Sequence, residues 1–65
     1  MKVGDTGVLY GLIDYPQFNG DVVRLTGTRP CTPNEFCPSG LAFYFEGSDL
    51  LIHLDWVYSE RVKPI

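Results

Sequence analysis

Cys31, Cys37 and His53 have the widest chemical repertoire in this chain, because thiolates and a neutral imidazole are zinc ligands. Their spacing argues against a metal. Cys-x5-Cys is wider than the usual knuckle of roughly two to four residues, and no motif supplies a fourth ligand. The two cysteines therefore read as free thiols in a reducing compartment, and as a bridge around Pro33-Asn34-Glu35-Phe36 in an oxidising one. His53 could act as a general base with Asp55 two residues on. Strand alternation, however, sets it on an outer face beside Leu51, and no Ser or Cys stands in a motif that would require a base, so a solvent-facing histidine is expected. Asp49 with Asp55, or Asp14 with Glu35, could pair as acid and base for hydrolysis. Eight acidic residues in so short a chain bring some carboxylates together by chance. The chain is thus expected to be non-enzymatic, with no catalytic residue, no metal site and no cofactor.

The aromatic residues carry more information. Four Phe, four Tyr and one Trp are present. Once a core has formed, Tyr15, Phe18, Phe36, Tyr44, Trp56 and Tyr58 remain in loops or at outward positions. Any one of them could cap a barrel end. Together they exceed what a barrel of this size can hide, and surplus surface aromatics are the composition of an interaction patch. Tyr15, Phe18, Phe36, Trp56 and Tyr58 are accordingly the expected partner-binding residues, and the expected partner is a protein.

Charge narrows the choice of partner. Five basic against eight acidic residues give a net charge of −3, the wrong sign for affinity built on neutralising phosphates, so nucleic acid is disfavoured. The amino terminus lacks the continuous apolar core of a signal peptide, and no segment approaches the roughly 20 apolar residues of a membrane span. A soluble, cytoplasmic protein is expected. A chain this short buries only about 60 % of its unfolded surface, so closure, oligomerisation or a partner would help stabilise it.

The elements that must position these residues are short strands. Val8–Ile13 combines β-branched, aromatic and aliphatic residues without helical spacing, and Gly11 within it suggests a bulge or bend. Asp14–Gly20 follows as a hinge: Pro16 lacks an amide proton for a ladder, and Asn19-Gly20 tolerates positive φ. Asp21–Thr26 is the second strand, with Val23 and Leu25 on one face. Pro30, Pro33 and Pro38 then keep the Thr28–Gly40 segment from being a helix or a central strand. Leu41–Phe45 and Leu50–Leu54 flank the turn-forming Glu46-Gly47-Ser48-Asp49 and read as a hairpin. Leu41, Phe43, Phe45, Leu50, Ile52 and Leu54 join Val23 and Leu25 as the expected core. Asp55–Glu60 reads as a single 3-10 turn leading into a last strand, Arg61–Lys63, that Pro64 stops. Five short strands make one domain over residues 1–65: an all-β, five-stranded, partly open barrel with one 3-10 turn before the last strand. An open barrel leaves an exposed strand edge through which a homo-oligomer could form.

This order of signals resembles the small SH3-like barrels related to the KOW module, and in particular short uncharacterised phage and prophage proteins. The resemblance rests on the opening Val3-Gly4-Asp5, on Asn19-Gly20 before the second strand, and on the closing Glu60-Arg61-Val62-Lys63-Pro64-Ile65, and it covers most of the chain. It implies a phage or prophage accessory module acting through protein binding, with a nucleic-acid-associated barrel of transcription or translation as the alternative. KOW modules are usually basic and carry a glycine soon after Asn-Gly. Here Asp21-Val22-Val23 follows and the chain is acidic, which argues against RNA binding. Leu9–Tyr15 is also similar to the "Ala-Leu-Tyr-Asp-Tyr" opening of signalling SH3 domains, which implies proline-peptide contacts at Tyr15 and Trp56. The acidic loop and mid-domain Trp pair of those domains are missing.

Overall fold

The computed structural model describes residues 1–32 and 37–65. Five antiparallel strands form one open sheet: β1 (Thr6–Leu9), β2 (Val22–Pro30), β3 (Leu41–Glu46), β4 (Trp56–Tyr58) and β5 (Val62–Pro64), in the spatial order β4-β3-β2-β1-β5. Among the described residues the remaining regular structure is three single 3-10 turns: η1 (Pro16–Phe18), η2 (Asp49–Ile52) and η3 (Ser59–Arg61). The expected all-β, five-stranded, barrel-like fold forms with a 3-10 turn before the last strand, but that turn is Ser59–Arg61 rather than Asp55–Glu60, because Trp56–Tyr58 is extended and paired as β4.

β2 holds the sheet together because it serves two neighbours. Its first residues pair with β1, Thr6 facing Arg24 and Val8 facing Val22, and the rest pair with β3 from Arg24–Glu46 to Pro30–Leu41. The register shifts between Leu25 and Gly27, and such a bulge bends the strand from one half of the sheet into the other. Glycine leaves room there for a neighbour: a Cβ at Gly27 would stand 3.2 Å from the Tyr44 ring, a tight contact that the ring would have to yield to. The bulge therefore lies in β2, and Gly11, expected to bend the first strand, sits beyond the end of β1.

Leu9, Val23, Leu25, Phe43, Phe45, Leu50, Val57 and Val62 form the core, one or two from each strand plus Leu50 from η2. Each fully buried aliphatic stabilises the fold by roughly 1.5–3 kcal/mol of transfer free energy. Five of the eight expected core residues are buried: Val23, Leu25, Phe43, Phe45 and Leu50. Leu54 is half-buried against the core, while Leu41 and Ile52 are exposed.

The expected hairpin is where sequence and structure part. Leu50–Leu54 is not a strand. Ser48 caps η2, its hydroxyl accepting from the Leu50 amide at 3.2 Å and donating to Asp21 Oδ2 at 2.7 Å. With about three residues per turn, Leu50 faces inward and Ile52 outward, whereas a strand would put both on one face. β3 pairs instead with Trp56–Tyr58, Ala42 facing Tyr58 and Tyr44 facing Trp56. The first strand likewise ends at Leu9 rather than Ile13, β2 continues to Pro30, and the last strand is Val62–Pro64.

Candidate functional site

The β1–β2 connection is a fixed loop. Leu9 donates to the Asp21 carbonyl at 2.9 Å and accepts from the Gly20 amide at 2.7 Å, so the loop closes at its base, with Gly20 at φ +95°. Asn19 braces its interior with both ends of its amide: Oδ1 accepts from the Leu12 amide at 2.9 Å and Nδ2 donates to the Leu12 carbonyl at 3.3 Å. Pro16 opens η1, as its missing amide proton and fixed φ favour. This bracing holds Leu12, Ile13 and Tyr15 as one wall of a cleft of about 290 Å³.

The opposite wall comes from β4 and η3. Alternation along Trp56-Val57-Tyr58 sends Val57 into the core and leaves Trp56 and Tyr58 half-exposed, their rings edge to face at 5.2 Å. The Arg29 guanidinium lies over Trp56, 4.6 Å from the ring centroid. Arg61, the last residue of η3, completes this wall, and its carbonyl accepts from the Tyr10 amide at 2.9 Å. Ile13, at the mouth, is 81 % exposed. One carboxylate, Asp14, and one guanidinium, Arg61, border an otherwise apolar and aromatic surface.

Of the five expected partner-binding residues, Tyr15, Trp56 and Tyr58 line this cleft together. Phe18 does not: it packs against the core, 6.4 Å from the Tyr15 ring and 5.9 Å from that of His53. Phe36 lies outside the described residues. Leu12, Ile13, Leu54 and Arg61 were not expected in the site. Periodicity puts Ile13 in a strand and Leu54 in the core, and their meeting at the cleft depends on a loop path that periodicity does not encode. The Thr28–Gly40 segment contributes none of its described residues to the lining.

The remaining candidate chemistry resolves differently. Cys31 and Cys37 are joined by a disulfide, against the expectation of free thiols, and neither is then available to a metal. Among the described residues no group of three or more His, Cys, Asp or Glu side chains is placed to hold a metal ion. His53 is exposed, and its ring stacks on Tyr15 at 4.9 Å. Glu35, one half of the second carboxylate pair, lies outside the described residues. Glu60 accepts from the Ser39 amide at 2.8 Å and from the Ser59 hydroxyl at 3.4 Å, and Ser39 and Ser59 join hydroxyl to hydroxyl. Hydrogen bonding from Ser39 holds the Glu60 carboxyl below the usual glutamate range.

The molecule is thus a small barrel-like β domain with an aromatic cleft, among its described residues, between the first loop and the fourth strand. No protein-family model, curated protein or solved structure matches the chain. No helix among the described residues is long and apolar enough to cross a membrane.

Proposed function

We propose that this chain is a non-enzymatic binding module that holds a segment of a protein partner in the cleft between the β1–β2 loop and β4. One observation carries the reading: Tyr15, Trp56 and Tyr58 converge on a single cleft with the apolar, solvent-exposed Ile13 at its mouth. Large rings on a braced backbone offer contact area at little ordering cost, which is the composition of an interface anchor. The acidic charge favours a partner surface that is basic. A phage or prophage accessory protein working in the cytoplasm fits this role. Self-association through a sheet edge has less to work with, because β4 and β5 are three residues each and β5 carries Lys63 and Pro64.

Trp56 is the sole tryptophan, so its emission reports on the cleft directly. Peptides selected from a displayed random library should shift that emission on binding. Ile13→Asp should weaken them roughly tenfold or more, a loss of about 1.4 kcal/mol, while leaving the urea midpoint unchanged, since the side chain is exposed. Undiminished binding by Ile13→Asp would remove the cleft from consideration. The second reading, a nucleic-acid-associated barrel, draws on Arg29 over Trp56 and Arg61 nearby, since cations beside stacking rings suit single strands. It requires binding of an oligonucleotide at about 50 mM salt that falls steeply as salt is added.

A further inference from the structure

The disulfide lies away from the cleft, yet a continuous set of bonds joins the two. Inside the Cys31–Gly40 connection, the Cys31 amide donates to the Gly40 carbonyl at 2.9 Å and the Gly40 amide to the Cys37 carbonyl at 3.0 Å. Together with the Cys31–Cys37 bond these two contacts fix the end of the connection where Ser39 stands. Ser39 reaches η3 twice, through its amide to Glu60 Oε1 at 2.8 Å and through its hydroxyl to Ser59. η3 in turn ends at Arg61, which borders the cleft and whose carbonyl holds the Tyr10 amide at the root of the opposite wall. Tyr58, the residue immediately before η3, is part of the cleft itself.

We propose that the Cys31–Cys37 disulfide is a redox control on the cleft, acting through Ser39 on η3 so that reduction releases Arg61 and Tyr58 from their set positions. The regulatory half of this proposal rests on the cleft being the binding site. The chemistry is thiol–disulfide exchange with a dithiol. One thiolate of the reductant attacks a cysteine sulfur and expels the other as a thiolate. The second thiol of the reductant then closes its own disulfide and frees the first cysteine, leaving Cys31 and Cys37 as two thiols once protonated. In a reducing compartment a protein disulfide is usually transient and redox-sensing, so a cytoplasmic setting favours a switch over a permanent staple.

Transmission runs through Ser39, whose amide and hydroxyl both tie this connection to η3. Freeing the cysteines gives the connection back its conformational entropy. Ser39 then spends less time at Glu60, and η3, a single turn with little stability of its own, loosens with it.

The test compares the full chain in oxidised form with the same chain treated with dithiothreitol, using readouts that need no ligand. Carbon-detected titration of the Glu60 carboxyl should show its pKa rising toward the ordinary glutamate value on reduction. Exchange of the Tyr10 amide, bonded to Arg61, should accelerate roughly tenfold, while Val23 and Leu25 amides keep their protection. Ser39→Ala in the oxidised protein removes the hydroxyl contact to Ser59 but keeps the amide bond to Glu60, and should move both readouts part of the way in the same direction with the disulfide intact. If Glu60 and Tyr10 behave alike in the two redox states, or if reduction instead unfolds the core so that Val23 and Leu25 lose protection as well, the control mechanism is wrong. Library peptides that bind both redox states equally also overturn the control and leave the cleft standing. Peptides that bind neither state, with the Glu60 and Tyr10 responses present, overturn the cleft and leave the coupling.

Discussion

Leu50→Ala paired with Ile52→Ala tests the packing of η2 more sharply than any other change. Leu50 is 0 % exposed and Ile52 79 % exposed, though they stand two residues apart in one apolar run. Truncating a fully buried leucine removes its transfer free energy and leaves a cavity, costing about 2–5 kcal/mol. Domains carry roughly 0.05–0.15 kcal/mol of stability per residue, so a chain of this length holds only about 3–10 kcal/mol in total. Leu50→Ala should therefore lower the melting temperature by more than about 10 °C or leave the chain unfolded. Leu50→Val, which removes about one methylene and roughly 1 kcal/mol, keeps the comparison measurable in the second case. Ile52→Ala, by contrast, should stay within about 0.5 kcal/mol of the parent. Urea unfolding followed by Trp56 emission reads all three. Equal losses for Leu50→Ala and Ile52→Ala would mean that both side chains point inward, as in a strand, and would refute the 3-10 turn.

Two further outcomes follow from single hydrogen-bonded groups. Ser48→Ala removes the η2 cap and the donor to Asp21 together, and should cost about 0.5–2 kcal/mol in the same urea assay. Glu60 titrates in the folded state below its unfolded value of 4.5, so its contribution to stability is fully present above that pH and is lost as pH falls through the lower folded value. Glu60→Gln should therefore be less stable than the parent at neutral pH, with the gap narrowing as pH falls below 4.5; a gap that stays constant as the pH is lowered would show that the carboxylate's charge plays no part.

What could be read from the residues was an all-β chain and the inward faces of its second and third strands. Asp21–Thr26 and Leu41–Phe45 read as strands whose inward residues Val23, Leu25, Phe43 and Phe45 are core, and Gly20 with Pro16 marks the hinge between the first two strands. Asn19 was also singled out there, but for its tolerance of positive φ. It works instead through its side-chain amide on Leu12, a contact seven residues back that no local pattern announces.

Leu50-Leu51-Ile52-His53-Leu54 shows why the rest was not legible. A short apolar run fits a strand or a tight turn equally well, and the decision fell to Ser48, whose hydroxyl is engaged by Asp21 from a distant part of the chain. Once η2 forms, β3 can pair only with the next extended segment, and Trp56-Val57-Tyr58 becomes β4. That pairing places Trp56 and Tyr58 opposite Tyr15. Composition and alternation thus determined an all-β chain, its main core positions and a surplus of aromatic rings, because these depend on side-chain chemistry at a period of two. Which rings meet, what braces them and how the Cys31–Cys37 bond reaches them were decided only by tertiary structure, because each depends on contacts between residues far apart in the chain.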